Sequence, residues 1–416
     1  MKKQWKFLSC LLTATMLCTA TACQLDKKIV SAEISKDYTR TTTQQGSVTK
    51  EFQQKTAAFA FSMFHNSVNK QQSNHLLSPL SATLCLALIN NGAAGNTRAQ
   101  IENAIGLSTD QLNSSMYAYT SSLYTGEDCK VSLANSIWMK DGALNVKPTF
   151  LQANADWYQA QAYASPFDST TLSDINNWCY NHTDGKIDKI LDSIDPLDVM
   201  YLINAVDFDA KWETEYERSD IENGVFYNYD GTQSDVKMLY STQYRYLLDE
   251  TCVGFAKNYK GGKYSFVGLL PNEGTDIYDF VNTLNEETWT TLWDSTKDNP
   301  ERKVHIRMPE FTYETEMPLN SALNALDIED MFSPTLADFS GIDDTQPLYC
   351  SYVKQKAFIQ VDRNGTKAAA VTLGGFKAMA IAPLAPLYIT LDRPFVYAIV
   401  DNEYKLPLFL GMVSHL

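Results

Sequence analysis

Apolar residues recur at helical spacing early in the chain and at strand spacing later. Phe52, Phe59, Met63 and Phe64 fall near one face of a helix over 51–64. A second, more uniformly apolar helix is predicted over 79–90; it starts at Pro79 and closes at Asn91-Gly92, a pair suited to a helix stop. Runs at 303–308, 357–362, 387–391 and 395–400 are β-branched or aromatic and partly alternating, which predicts strands. Helices early and strands late, without a regular βαβ rhythm, predict an α+β fold with a large sheet. No internal repeat is visible, and no linker-like stretch interrupts 50–416, so one large domain is the simplest reading.

The first 49 residues have a different pattern. Lys2, Lys3 and Lys6 precede an apolar run over 7–22, and small residues then lead to Cys23. This three-part layout predicts a signal peptide over 1–22, too short to serve as a mature membrane span. Its end resembles a bacterial lipoprotein cleavage site, which makes Cys23 the lipidated residue, although Ala20 stands where a leucine is usual. Residues 24–49 are rich in Thr, Ser, Gln and Lys with no apolar period, so 23–49 reads as a lipidated Cys and polar tether.

A net charge of −15 argues against nucleic acid, which needs a basic footprint, and against charge-driven binding to anionic lipid. Beyond Cys23 five cysteines remain, Cys85, Cys129, Cys179, Cys252 and Cys350. They are odd in number, scattered and without metal-site spacing, so buried free thiols are expected. His65, His75, His182, His305 and His415 show no metal or triad spacing. No Gly-x-Ser-x-Gly elbow, His-Glu-x-x-His motif or phosphate-binding loop is present. Ser47-Val48-Thr49-Lys50 matches Ser-x-x-Lys formally, but its partner motifs are missing. The sequence nominates no catalytic residue, no metal ligand and no cofactor.

The informative stretch is 361–383. Residues 361–372 (VDRNGTKAAAVT) follow a strand-like run and are rich in small side chains; 373–383 (LGGFKAMAIAP) are apolar but too irregular for a core element. Together they resemble the hinge and reactive loop of serpins. Further blocks in the same order carry the resemblance: 74–81 (NHLLSPLS), 91–97 (NGAAGNT), 134–138 (ANSIW), 184–187 (DGKI), Asn204-Ala205 with Phe208 and Trp212, and 393–411.

This resemblance implies a serpin fold: a large central, mostly antiparallel sheet, surrounding helices and an exposed reactive-centre loop over about 363–386. It also implies that the loop can insert into that sheet as a new strand. Alternate residues of a strand face opposite sides, so Thr366, Ala368, Ala370 and Thr372 would share the inward face, with Ala369 and Lys367 opposite. Gly365 would allow the backbone reversal at the entry. Counting along the loop as family members do places the cleaved bond at Met379–Ala380, with Phe376 and Ala378 as alternative bait. The 14 residues from Thr366 to Met379 would span roughly 46 Å as a strand, close to the roughly 50 Å width of such a domain.

The implied function is irreversible, suicide-substrate inhibition of elastase-like or chymotrypsin-like serine proteases by a monomer. Trapping would be covalent, and the chain would be held on the outer face of a bacterial cell membrane only through its lipid anchor. The alternatives are a non-inhibitory serpin or a surface binding lipoprotein. Ser78, Pro79, Ser81, Asn204, Trp212 and Gln355 match the region where the sheet opens. Three departures stand out. Arg363 replaces the usual Glu and Glu310 its usual basic partner, which predicts an Arg363–Glu310 ion pair; Gln355 replaces a common His, and its amide is expected on Asn204. The stretch 379–394 is also longer than in common members.

Overall fold

The computed structural model describes residues 26–41, 46–70, 74–123, 125–243, 245–295, 297–298, 302–365 and 385–416. The chain begins with strand β1 (Ala32–Glu33), helix α1 (Lys50–Ser67), strand β2 (Asn74–Leu77) and helices α2 (Pro79–Asn90), α3 (Gly95–Ile105) and α4 (Thr109–Ser122). Next come β3 (Thr125–Gly126), β4 (Cys129–Lys140), α5 (Pro148–Tyr158), β5 (Gln161–Ser165), α6 (Ser169–His182) and β6 (Met200–Ala210). Five strands follow: β7 (Ile221–Tyr227), β8 (Gln233–Gln243), β9 (Arg245–Leu248), β10 (Cys252–Asn258) and β11 (Tyr264–Pro271). Helices α7 (Ile277–Thr283) and α8 (Glu286–Ser295) precede β12 (Lys297–Asp298), β13 (Val304–Pro309), β14 (Phe311–Pro318) and α9 (Asn320–Asn324). The chain closes with β15 (Lys354–Val361), β16 (Leu387–Thr390), β17 (Phe395–Asp401) and β18 (Leu406–Val413).

Local chemistry accounts for the helix ends. Thr49 caps α1 by accepting the Phe52 N–H, and Ser78 caps α2, where Pro79 sits in the first turn without needing a donor. Ser108 and Gln111 form a reciprocal capping box on α4. The buried face of α1 carries Phe52, Phe59, Met63 and Phe64, as its spacing predicts. Helix α2 is buried nearly all round and packs against β6 and β18.

A seven-stranded sheet runs β12-β9-β10-β11-β17-β18-β2, and β11, β17 and β18 are buried at every position. A four-stranded sheet runs β16-β13-β8-β7, with β13 and β16 parallel. The remaining strands form two blocks. One holds β1-β5-β4-β3 with β6 added on β4; the other is the β14–β15 pair. Among the described residues no ladder joins β6 to β15. The α+β class and the mostly antiparallel sheets match the sequence reading, but the central sheet is divided along one seam.

The tether reading needs correction for 26–41, which pack on the body. β1 pairs antiparallel with β5, Ala32 opposite Ala164. The buried Asp174 carboxylate of α6 accepts the N–H groups of Val30 (3.0 Å) and Ser31 (2.6 Å) and the Ser31 hydroxyl (2.7 Å). Asn177 and Asn181 donate to the Lys28 and Lys27 carbonyls at 2.9 and 2.8 Å. Hydropathy misses this strap because backbone hydrogen bonds, rather than a period of apolar side chains, hold most of it. The expected leader, Cys23 and residues 366–384 lie outside the described residues.

Candidate functional site

The seam between β6 and β15 starts at Ser78. Its hydroxyl accepts the Ser81 N–H at 3.3 Å, fixing the first turn of α2, and donates to the Leu408 carbonyl at 3.0 Å on the seven-stranded sheet. Gln355 on β15 closes the other side: its amide oxygen accepts the Ser78 N–H and its amide nitrogen donates to the Ser78 carbonyl, both at 2.9 Å. A planar side-chain amide matches both backbone groups at once. Gln355 therefore pairs with Ser78, not with Asn204 as expected. The Asn204 side chain instead donates to Asn135 Oδ1 at 2.8 Å, within its own block. Its carbonyl oxygen is buried with no hydrogen-bond partner among the described residues.

Two cavities occupy the seam. The upper, about 40 Å³, is lined by Ser78, Ser81, Cys85, Asn204 and Gln355 among others. The lower, about 380 Å³, lies between Met200–Ile203 of β6 and the 346–354 segment leading into β15. The expected thiols are all free; Cys129, Cys179 and Cys252 are buried, whereas Cys85 and Cys350, which line the lower cavity, are only half-buried. Burial pushes the Cys85 and Cys350 thiols up to about 12, so they stay protonated and poor nucleophiles at neutral pH.

At its top the seam is bridged. Trp212, just past β6, stacks on Tyr259 at 4.6 Å, and its indole N–H donates to the Asp362 carbonyl at 2.9 Å. The Tyr216 N–H donates to the Arg363 carbonyl at 3.1 Å, and Gly365 bridges to Lys211. Gly365 has φ +104°, and a Cβ there would lie 2.4 Å from the Trp212 main-chain nitrogen, so glycine is required both by conformation and by the close approach. Gly365 is the last described residue before the expected bait. The expected Arg363–Glu310 ion pair is absent among the described residues: Glu310 accepts the Arg363 backbone N–H at 3.0 Å, and the Arg363 side chain is exposed. Arg363 lies in the turn after β15, and there its peptide N–H bonds to that carboxylate.

Two charged groups near the seam had no role assigned from the sequence. Lys186, in the 184–187 block, reaches Asp207 of β6 at 2.8 Å and Asp209 at 3.5 Å, tying the segment after α6 to the seam strand. Burial raises the Asp207 carboxyl while the Lys186 charge opposes that shift. Lys257 of β10 lies beneath Trp212 and Tyr216, donates to the Thr214 carbonyl at 2.8 Å, and is lowered by burial to about 8. A lone lysine in the run Cys252–Asn258 was the available signal for it.

Thr366, Ala368, Ala369, Ala370 and Thr372, and Phe376, Ala378, Met379 and Ala380, are expected hinge and bait residues outside the described residues. Among the described residues no group of three or more His, Cys, Asp or Glu could hold a metal ion, and no helix is long and apolar enough to cross a membrane.

Comparison with known proteins gives a consistent picture. A family model described as "Serpin (serine protease inhibitor)" matches residues 54–416. The leukocyte elastase inhibitor A of Rattus norvegicus is 30% identical over 369 residues, covering 85% of this chain and 97% of that protein. The plasma serine protease inhibitor of Bos taurus is 32% identical, covering 82% and 85%. The thermophilic serpin tengpin in its native state superposes with a TM-score of 0.87 at 39% identity, covering 93% of this chain and all of that one. Its latent state superposes at 0.80, covering 90% and all.

Proposed function

The chain belongs to the serpin family, and on that premise we propose that it is an irreversible, suicide-substrate inhibitor of elastase-like or chymotrypsin-like serine proteases. The open seam carries this reading. Two strand blocks face each other with no ladder between them among the described residues, cavities lie between them, and one buried amide oxygen has no donor among those residues. Unpaired backbone edges are costly, and one extra strand would satisfy both of them. Residues 366–379, whose sequence suits such a strand, follow directly on Gly365 at the bridged top of the seam.

The chemistry belongs to the protease. Its serine oxygen attacks the Met379 carbonyl, the bond to Ala380 breaks, and the new amine leaves with a proton, giving an ester between the serine and Met379. Strand 366–379 then enters the seam and draws the ester-linked protease along the sheet. Catalytic geometry tolerates little displacement, so deacylation stalls. In such a strand the small side chains of Thr366, Ala368, Ala370 and Thr372 would share the inward face and would not obstruct entry. The leader and Cys23 support presentation on the outer face of a bacterial membrane.

The test mixes the full chain with neutrophil elastase and follows a denaturing gel and intact mass. A covalent complex with release of the peptide beginning at Ala380 is expected. Clean cleavage without a complex would reduce the protein to a substrate of that protease. Absence of cleavage within 374–383 by elastase and chymotrypsin alike would overturn the reading.

A further inference from the structure

Gly365 is bridged antiparallel on both sides: to Asp362 across the turn that follows β15, and to Lys211 just past β6. One residue at the top of the seam therefore fixes two registers at once. Counting down from it, each later residue of an entering strand would meet one partner on β6 and one on β15. Directly opposite residues of antiparallel strands share a face. The two counts agree with each other: both bring Thr372 to the level of the upper cavity, opposite Asn204 on one side and Gln355 on the other.

The same counts set Lys367 opposite Asp209 on β6 and the neutral Gln360 on β15. Asp209 belongs to a group of charges drawn from β4, β6 and the segment after α6. Lys186 lies 2.8 Å from Asp207 but 3.5 Å from Asp209. Lys130, opposite Asp209 on β4, is held by Asp184 at 2.6 Å. In this group three carboxylates share two ammoniums, and each ammonium lies closest to a carboxylate other than Asp209. The Asp209 and Lys186 side chains are only 25% and 20% exposed, so water screens this imbalance less than it would at an open surface. A third cation is the complement the group calls for, and Lys367 is the residue that the register delivers.

We propose that Asp209 receives the Lys367 ammonium as the strand enters the seam, and that this ion pair speeds entry. This rests on the inhibitory reading above. Lys367 is the second residue below Gly365, so the pair forms before most of the strand is in place. It therefore acts on the race between strand entry and hydrolysis of the ester, and contributes nothing to recognition of the protease.

The experiment measures the inhibitor-to-protease stoichiometry of the full chain with neutrophil elastase, and the thermal transition before and after cleavage. Lys367→Glu sets a like charge against Asp209. It is expected to raise the excess of the stoichiometry over one by about three-fold, with the transition of the intact chain unchanged. In about 1 M salt that difference should largely disappear. Asp209→Lys is expected to act in the same direction against Lys367, and the double variant, with the charges exchanged, to return to within about two-fold of wild type. Single variants at the wild-type stoichiometry, or a double variant no better than the worse single one, overturn the proposal and leave the inhibitory reading intact. Cleavage without a complex overturns the inhibitory reading alone. The pair then stands or falls on the cleaved chain, whose transition Lys367→Glu should lower and the exchange restore. No rise in the wild-type transition on cleavage removes both readings together.

Discussion

The seven-stranded sheet and the divided central sheet are built from similar strands but left in different states. In the former, β11, β17 and β18 pair along their lengths, every residue is buried, and Phe266 stacks on Tyr397 at 5.6 Å. In the latter, β6 and β15 largely alternate buried with less buried positions, yet among the described residues no ladder joins them, and cavities lie between them. Propensity and pattern alone would have closed this sheet. Several side chains along the seam are engaged within their own side of it or at Ser78, although the Asn204 side-chain oxygen has no partner among the described residues. Gln355 is taken by Ser78 and Asn204 by Asn135, while Lys186 holds Asp207. On the proposed inhibitory reading, the complete sheet has nothing more to gain, whereas the divided one holds stabilisation in reserve.

The largest expected effect follows from releasing that reserve. Cleavage within 374–383 is expected to stabilise the chain by on the order of 10 kcal/mol, from a dozen or so new ladder bonds at roughly 1 kcal/mol each. It should appear as a shift of the thermal transition upward by tens of degrees. An unchanged or lowered transition after cleavage would mean that the seam does not accept the strand. A smaller contrast compares the two sheets directly. Phe266→Ala, inside the complete one, is expected to cost about 3–5 kcal/mol in urea unfolding. Leu202→Ala, on β6 beside both cavities, is expected to cost under about 2 kcal/mol, because part of its surface already faces a void. Equal costs would erase the distinction.

Much of this was legible in the chain. The 79–90 helix has the same limits in the structure, and strands were found at 304–309, 354–361, 387–390 and 395–401. The ordered blocks from 74–81 to 393–411 placed Ser78, Asn204, Trp212 and Gln355 around one seam. Partner choice was not legible. Gln355 meets a backbone amide and carbonyl, which leave no mark in residue type, and Glu310 takes an N–H where a guanidinium was expected. The strap over 26–41 was missed for the same reason. Main-chain hydrogen bonds hold polar segments without any hydrophobic period.

That strap offers a smaller test on the outer side of the divided sheet. Asp174→Ala leaves the N–H groups of Val30 and Ser31 without their acceptor. It is expected to cost about 2–3 kcal/mol if the strap unfolds with the body. Hydrogen exchange of 27–34 would then speed up in the variant. If exchange there rises while global stability is unchanged, the strap is an independently opening unit and lends the sheet nothing.

The smallest effect concerns Lys257, a buried charge where the two sheets meet. Trp212 and Tyr216 face it with their rings, Thr214 with its carbonyl, and Glu213 and Asp220 with their charges, yet burial outweighs them all and lowers it to about 8. A lysine lowered on folding is charged in the folded state only at a cost. That cost is fully present below pH 8 and disappears as the pH rises past the unfolded value near ~10.4. Wild-type stability should therefore gain, relative to a variant without the amine, as the pH rises from 8 to 10. Lys257→Met keeps the apolar stem under both rings and loses the bond to Thr214, so the net gain at pH 7 should be only about 1 kcal/mol. By pH 10 the gain should have vanished or reversed, leaving the unpaired Thr214 carbonyl as the difference. Urea unfolding of both proteins at pH 7 and pH 10 reads this directly. A variant whose advantage is the same at both would show that the ammonium carries no burial cost, and that the rings over it compensate fully for lost water.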